Sequence, residues 1–383
     1  MKFLLNTDNC ASGIQKAGNI SPSKTGSAFL KTMWIKAEKN KVSFMTTDAS
    51  TEYIGSYPAE VHEEGLIGVP SRALSDLIRN LPSGIIEFVT DETGEKVTIS
   101  QGSRRYRLPT SSTSWFQDFS RFPDGNSIVW NGESFSEIID RIAFCIEDSE
   151  ESAWCYLCIK PDGKGNVVFC GLDGRRFAMV TLINDELLQY LPEDGIKIQK
   201  KYLSDMKKLV GTDDIQMVIG NKRFFVRDND FKSQFSVPMA EVSFIDYSGF
   251  VNRVHDEACA HLTVKKDDFL YALSRIAIFD TDSERSVFLR IADDSITVSS
   301  GTKSSGSAKE TISATCKSEI SEIAFITKSL IEILQHMPSD EVAITLSGVE
   351  GPAKIQPVDD SSYYVIVMPV QMNSMSYYKE DDI

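Results

Sequence analysis

The feature that most limits the fold of this 383-residue chain is a pattern that returns at intervals of about 130 residues. Residues 69–82, 198–210 and 326–338 each read as one amphipathic helix, with Leu74, Leu203 and Leu330 in equivalent places. Apolar residues recur at the first, fourth and eighth places of each copy (Leu74, Leu77, Leu81; Leu203, Met206, Val210; Leu330, Ile333, Met337), which predicts one buried helix face per copy. Each helix gives way to a β-like run, at 85–89, 215–219 and 342–346. Another helix opens each unit, over 10–18, 135–144 and 269–279. Phe135, Ile138, Ile139 and Ile142 match Phe269, Ala272, Leu273 and Ile276 place for place, and Cys10, Gly13, Ile14 and Ala17 form a weaker copy. Between the helices stand β-branched and aromatic runs separated by turn residues, among them 42–46, 167–170 and 296–299. Each unit is therefore a helix, several strands, a helix and more strands. Boundaries near 124–126 and 256–259 divide the chain into domains 1–125, 126–257 and 258–372, followed by a tail, 373–383, expected to be disordered.

Composition narrows the function. The 42% hydrophobic and 25% charged content is that of a globular protein and excludes a disordered or fibrous one. The excess of 55 acidic over 40 basic residues gives a formal charge of −15. A tight, sequence-independent nucleic-acid groove binder should be basic instead, because lysine and arginine displacing counterions supply that affinity. The apolar run Met1–Leu5 is too short for a secretory signal, and no stretch is long and apolar enough to span a membrane. Seven cysteines without a framework spacing read as reduced, so the chain is expected in the cytoplasm.

Comparing equivalent places in the repeat changes the meaning of the charge. Two places before the equivalent leucines stand Arg72, Lys201 and Lys328. Two places after Ile14, Ile139 and Leu273 stand Lys16, Arg141 and Arg275. Arg79 and Lys208 share helix faces with Arg72 and Lys201. Lys201 and Lys208 point away from the apolar stripe of their helix. A set of basic helix faces repeated three times suits a repetitive polyanion, and duplex DNA is the obvious one.

Other chemistries have little support. Cys155 and Cys158 form a CxxC pair, but in a strand they would face opposite sides, and there is no second CxxC or histidine pair. His62, His255, His261 and His336 form no HExxH, and no phosphate-binding or nucleophile motif occurs. No catalytic residue, metal site or cofactor is therefore expected. The rival reading is a three-domain binding scaffold unrelated to DNA, with its basic positions merely solvated.

Over nearly its whole length the chain resembles the bacterial sliding clamp family, the beta subunits of DNA polymerase III. The match is carried by Met1-Lys2-Phe3, Thr47-Asp48, the run Gly171-Leu172-Asp173-Gly174-Arg175-Arg176-Phe177-Ala178, Phe244-Ile245-Asp246-Tyr247, and Tyr364-Val365-Ile366-Val367-Met368-Pro369-Val370, in that order on the threefold repeat. The resemblance implies an α+β fold of three clamp domains, each with two helices and antiparallel sheets, and a head-to-tail homodimeric ring. Duplex DNA would pass through the hole. The replicative polymerase, the clamp loader and repair polymerases would dock through short peptides, giving processivity without an active site.

The same resemblance implies a partner-peptide pocket lined by Leu157, Leu172, Gly174, Arg175, Arg176, Phe177, Ile245, Phe250, Ile366, Met368 and Pro369. Its apolar walls suit aliphatic and aromatic anchors, and a methionine can repack around different partners. The chain departs from the family pattern at four places. Ile245 stands where proline is usual, Gly249 for arginine, Leu172 for threonine and Arg175 for histidine. For ring closure the matching positions are Tyr106 and Leu108 of the first domain, set against Ile278 and Phe279 of the third domain of the other copy.

Overall fold

The computed structural model describes residues 1–22, 27–280, 285–300 and 306–371, so the tail expected at 373–383 lies outside the described residues. One order of elements recurs three times. The first copy is β1 (Lys2–Asn6), α1 (Thr7–Ile20), β2 (Thr32–Glu38), β3 (Lys41–Thr47), β4 (Glu52–Pro58), β5 (Glu60–Glu63), β6 (Gly65–Pro70), α2 (Ser71–Asn80), β7 (Ile85–Thr90), β8 (Lys96–Gln101) and β9 (Arg104–Pro109). The second is β10 (Ile128–Asn131), α3 (Gly132–Ala143), β11 (Tyr156–Pro161), β12 (Val167–Leu172), β13 (Arg176–Leu182), α4 (Asp185–Tyr190), β14 (Ile196–Gln199), α5 (Lys200–Val210), β15 (Asp214–Ile219), β16 (Arg223–Asp228) and β17 (Ser233–Pro238). Helix α6 (Ser248–Asp256) then leads to the third. That copy comprises β18 (Ala260–Lys265), α7 (Lys266–Ile276), β19 (Ser286–Ala292), β20 (Ser295–Ser300), β21 (Lys309–Ser318), β22 (Glu322–Ile326), α8 (Thr327–Gln335), β23 (Glu341–Leu346), β24 (Ala353–Pro357) and β25 (Tyr363–Val367).

Local chemistry sets these boundaries. The Asn6 side chain accepts the Asp8 N–H at 3.0 Å and caps α1. Asp267 and Asp268 sit in the first turn of α7 and Arg275 in its last, matching the helix dipole. The expected faces are buried in α1 (Cys10, Gly13, Ile14, Ala17), α3 (Phe135, Ile138, Ile139, Ile142), α5 (Leu203, Met206, Val210) and α7 (Phe269, Ala272, Leu273, Ile276); in α8 Leu330 and Ile333 are buried, and Met337 is buried just past the helix end. In α2 the stripe is shifted. Ser71, Leu74, Ser75 and Ile78 are buried, whereas Leu77 is half-buried and Leu81 lies beyond the helix end. Two small serines allow close approach on that face, so the apolar spacing placed Leu74 correctly and Leu77 and Leu81 wrongly.

The chain packs as two compact units, Met1–Glu137 with Lys201–Ala240, and Ile138–Lys200 with Glu241–Ile383. Each unites a terminal copy with part of the middle one, because one sheet in each runs on from copy to copy. In the first unit a five-stranded sheet has the order β5-β1-β7-β8-β9, and an eight-stranded sheet the order β10-β15-β16-β17-β4-β3-β2-β6. The seam is β17 against β4, with Ser233 opposite Gly55. Arg223 pins it, its guanidinium donating to the Ser50 carbonyl at 2.7 Å and the Ser236 carbonyl at 2.9 Å.

The second unit has one twelve-stranded sheet, ordered β14-β11-β12-β13-β25-β24-β23-β18-β21-β20-β19-β22. Its seam is β13 against β25, with Phe177 opposite Ile366. Among the described residues, the paired strands of both units run antiparallel. No helix among the described residues is long and apolar enough to cross a membrane.

Candidate partner pocket and basic helix faces

Strand alternation decides which side chains share a surface in the second unit. Cys158, Val168, Cys170, Leu172, Phe177, Tyr364 and Ile366 point to one face of β11-β12-β13-β25, where Val254 of α6 joins them in a buried cluster. Phe244, Tyr247, Phe250 and Val251 pack over it from α6 and the segment before it. The Phe177 ring lies 4.9 Å from Tyr247 and 5.2 Å from Phe250, the latter edge-on. Burial among these rings pushes the Tyr247 hydroxyl far above its usual range.

The rim is built by a turn at Asp173. Its carboxylate accepts the backbone N–H of Arg175 at 2.9 Å and of Arg176 at 2.7 Å. Gly174 sits there at φ +84°, where a Cβ would run into the Trp154 ring. The Met368 N–H donates to the Arg175 carbonyl at 2.9 Å, so the segment after β25 is laced to this turn. Arg175 is exposed, Pro369 half-buried, and Ile245 and Met368 each 40% exposed.

Two residues expected in the lining are placed elsewhere. Leu157, next to Cys158 in β11, is fully buried on the opposite face of the sheet. Arg176, next to Phe177, also points away from α6. It pairs there with Glu332 of α8, bonds Asp173 through Nε at 2.8 Å and donates to the Phe144 carbonyl at 3.0 Å. Burial works against its charge, but Glu332 and Asp173 outweigh burial and hold the guanidinium protonated above its ordinary range. A period of two makes neighbours in a strand face opposite sides, and motif matching does not see that. Conversely, motif matching missed Tyr247, Val254, Tyr364 and the directly opposed pair Cys158–Cys170; alternation along β11, β12 and β25 was the available signal for the strand members. Among the described residues, no group of three or more histidine, cysteine or carboxylate side chains is placed to hold a metal ion.

The eight basic positions fall into two groups. Arg72, Arg79, Lys201, Lys208, Arg275 and Lys328 are exposed. Several share their charge with a carboxylate: Arg72 and Arg79 with Asp76 at 3.7 and 3.5 Å, Lys208 with Asp205 at 3.1 Å, and Arg275 with Glu310 through two guanidinium nitrogens. Lys16 and Arg141 are committed to structure. The Lys16 ammonium donates to the Leu209 carbonyl at the end of α5, at 2.9 Å, and burial lowers its pKa. Arg141 pairs with Asp360 at 3.6 Å, and its carbonyl accepts the Tyr363 hydroxyl at 3.1 Å.

At the expected ring edge, β9 pairs only with β8 among the described residues, with Tyr106 and Leu108 half-buried beside exposed Arg105 and Arg107. Ile278 is 77% exposed, in a short 3-10 turn (Ala277–Phe279) after α7, and Phe279 is half-buried.

Two family models match, described as the DNA polymerase III beta subunit N-terminal domain, at residues 1–119, and C-terminal domain, at 256–371. Among curated relatives, the Chlamydia muridarum beta sliding clamp is 23% identical over 97% of this chain and all of its own length. The Vibrio cholerae beta sliding clamp is 22% identical with the same coverage. The solved DNA polymerase III beta subunit of Pseudomonas aeruginosa superposes with a TM-score of 0.88 at 20% identity, over 97% of this chain and 100% of that one. A Bartonella birtlesii sliding clamp bound to griselimycin gives 0.86 at 22% identity, over the same shares. Two models of one family, together spanning more than half the sequence, and relatives of one name aligned along the rest show that this chain belongs to the DNA polymerase III beta subunit family, the beta sliding clamps.

Proposed function

We propose that this chain is a DNA sliding clamp of replication. Two copies close head to tail into a ring around duplex DNA and tether the replicative polymerase. Its three clamp domains are 1–125, 126–257 and 258–372. It works in the cytoplasm and contributes no catalytic group of its own, so processivity comes from topology. The clamp loader and repair polymerases take turns at the α6 pocket, through peptides whose apolar anchors reach Leu172, Phe177, Phe250 and Ile366.

The observation that carries the ring is the joining rule of the copies. The last strand of the second copy, β17, lies beside β4, and the last strand of the third, β25, beside β13. Strands β4, β13 and β21 are equivalent, each the third strand after its copy's first helix. Applied once more, the rule sets β9 of one copy beside β21 of another. Both edges suit it. Among the described residues, β9 has one neighbour, and Lys309–Ser313 of β21 pairs only with β20, since β18 takes over from Ala314 onward. Two such seams close a ring of six domains with two-fold symmetry and cover both of these edges.

The exposed cations support weak contact with DNA. Arg72, Arg79, Lys208 and Arg275 already have carboxylate neighbours, so phosphate contacts gain little and the ring remains free to slide. The test is retention on nicked circular against linear DNA after loading. A clamp stays on the circle and leaves the linear molecule by its ends, whereas equal, salt-sensitive loss from both overturns the reading.

A further inference from the structure

We propose that residues 372–383 bind back onto the α6 pocket of their own chain, as a resident acidic-aromatic peptide that partner peptides must displace. The proposal rests on the pocket reading above and adds a regulator to it. The segment lies beyond the family match, which ends at residue 371. It reads Met372-Asn373-Ser374-Met375-Ser376-Tyr377-Tyr378-Lys379-Glu380-Asp381-Asp382-Ile383, so two adjacent aromatic rings are followed closely by three carboxylates.

The pocket offers the complementary pattern. The apolar cluster is buried beneath α6, and cations stand around its edge: exposed Arg175 on the Asp173 turn, Lys160 with its ammonium 4.3 Å above the Tyr247 ring, and Lys354 4.5 Å above the Tyr364 ring. Asp246 lies near Lys160 and offsets part of that charge, which leaves Arg175 and Lys354 as the main attraction for carboxylates. Ile245 and Met368 present apolar surface on the same rim. A tyrosine ring suits such a place, with an apolar body for Met368 and a hydroxyl at the wet edge.

Reach is short. Met368 is bonded to Arg175 at the rim, and Gln371 follows three residues later. Tyr377 is the sixth residue after Gln371, a span of up to about 20 Å when extended. The tyrosines can therefore return to the pocket with slack, and Glu380–Asp382 follow within about 10–15 Å of them. Tethering holds such a peptide at an effective concentration on the order of millimolar, so even a weak contact would be populated.

The experiment uses a fluorescein-labelled synthetic peptide of residues 372–383, titrated against the full chain and against a chain ending at Gln371. Saturable binding to the truncated chain is expected, at least ~10-fold tighter than to the full chain, whose own tail competes at that effective concentration. Arg175→Glu and Met368→Ala, both at exposed positions, should each weaken binding to the truncated chain, and a peptide with Tyr377→Ala and Tyr378→Ala should not bind. Equal affinity for the two chains, no binding to the truncated chain, or indifference to both rim variants overturns the proposal. So does competition that appears only as chain concentration rises, which would mean that a second copy supplies the tail. Retention on circular DNA is independent of each of these results, so failure here is distinguishable from failure of the clamp reading.

Discussion

Arg175 and Arg176 are neighbours in sequence with opposite duties. Arg175 is exposed on the pocket rim, while Arg176 is tied to Glu332, Asp173 and the Phe144 carbonyl on the far side of the sheet. Removing one partner of a largely buried, hydrogen-bonded ion pair leaves the others unmatched. Arg176→Met should therefore lower unfolding free energy by about 2–4 kcal/mol in a denaturant titration, and Arg175→Ala by no more than about 0.5 kcal/mol. Gly174→Ala strains both a positive φ and the contact with Trp154, at a cost of about 1–3 kcal/mol in the same measurement. Lys16 carries a pH signature. Burial sets its folded pKa below the ordinary value of 10.5, so the unfolded chain binds that proton more tightly and Lys16 contributes a stability that rises as pH climbs from the folded value towards 10.5. Lys16→Met should flatten that alkaline rise relative to the parent chain, and an unchanged profile would refute the assignment. The sequence showed which residue types recur at these places, but not that Lys16 and Arg141 are already used by carbonyl, carboxylate and ring partners. Those partners are remote in the chain, up to 222 residues away for the Tyr363 hydroxyl on the Arg141 carbonyl.

At the scale of single elements, the long apolar periodicities were legible and the short or mixed ones were not. Helices α1, α3 and α7 buried the expected faces, whereas α2 turned its serines inward and displaced Leu77 and Leu81 from the stripe. Helix α5 shows how a face can be read for function: Leu203, Met206 and Val210 are buried, and Lys201 and Lys208 exposed. Lys201→Glu with Lys208→Glu should leave the fold intact, weaken DNA association and reduce the salt slope by about one per lost phosphate contact, measured by titration at several salt concentrations. The 3-10 turn after α7 carries the exposed Ile278 that the ring reading places at the seam. Ile278→Asp with Phe279→Asp should yield monomers in sedimentation velocity, and an intact dimer would move the seam elsewhere.

For the whole molecule, closure and function are the same question. A variant that is monomeric through Ile278 and Phe279 should lose retention on circular DNA even with every basic helix residue in place, because only topology separates a clamp from a weak binder. The net charge of −15 agrees with this: it excludes a tight groove binder and leaves a ring permitted. The sequence by itself determined the threefold unit, the helix faces other than that of α2, and the family, because periodicity and ordered motifs are local and repeat in register. Only the tertiary structure decided that one sheet in each unit runs through the seam between copies, β17 on β4 and β25 on β13, and that Leu157 and Arg176 turn away from the pocket. Strand pairing joins residues up to about 190 positions apart, and the choice of face depends on a period of two set by that pairing. Neither is written in the spacing of any one segment.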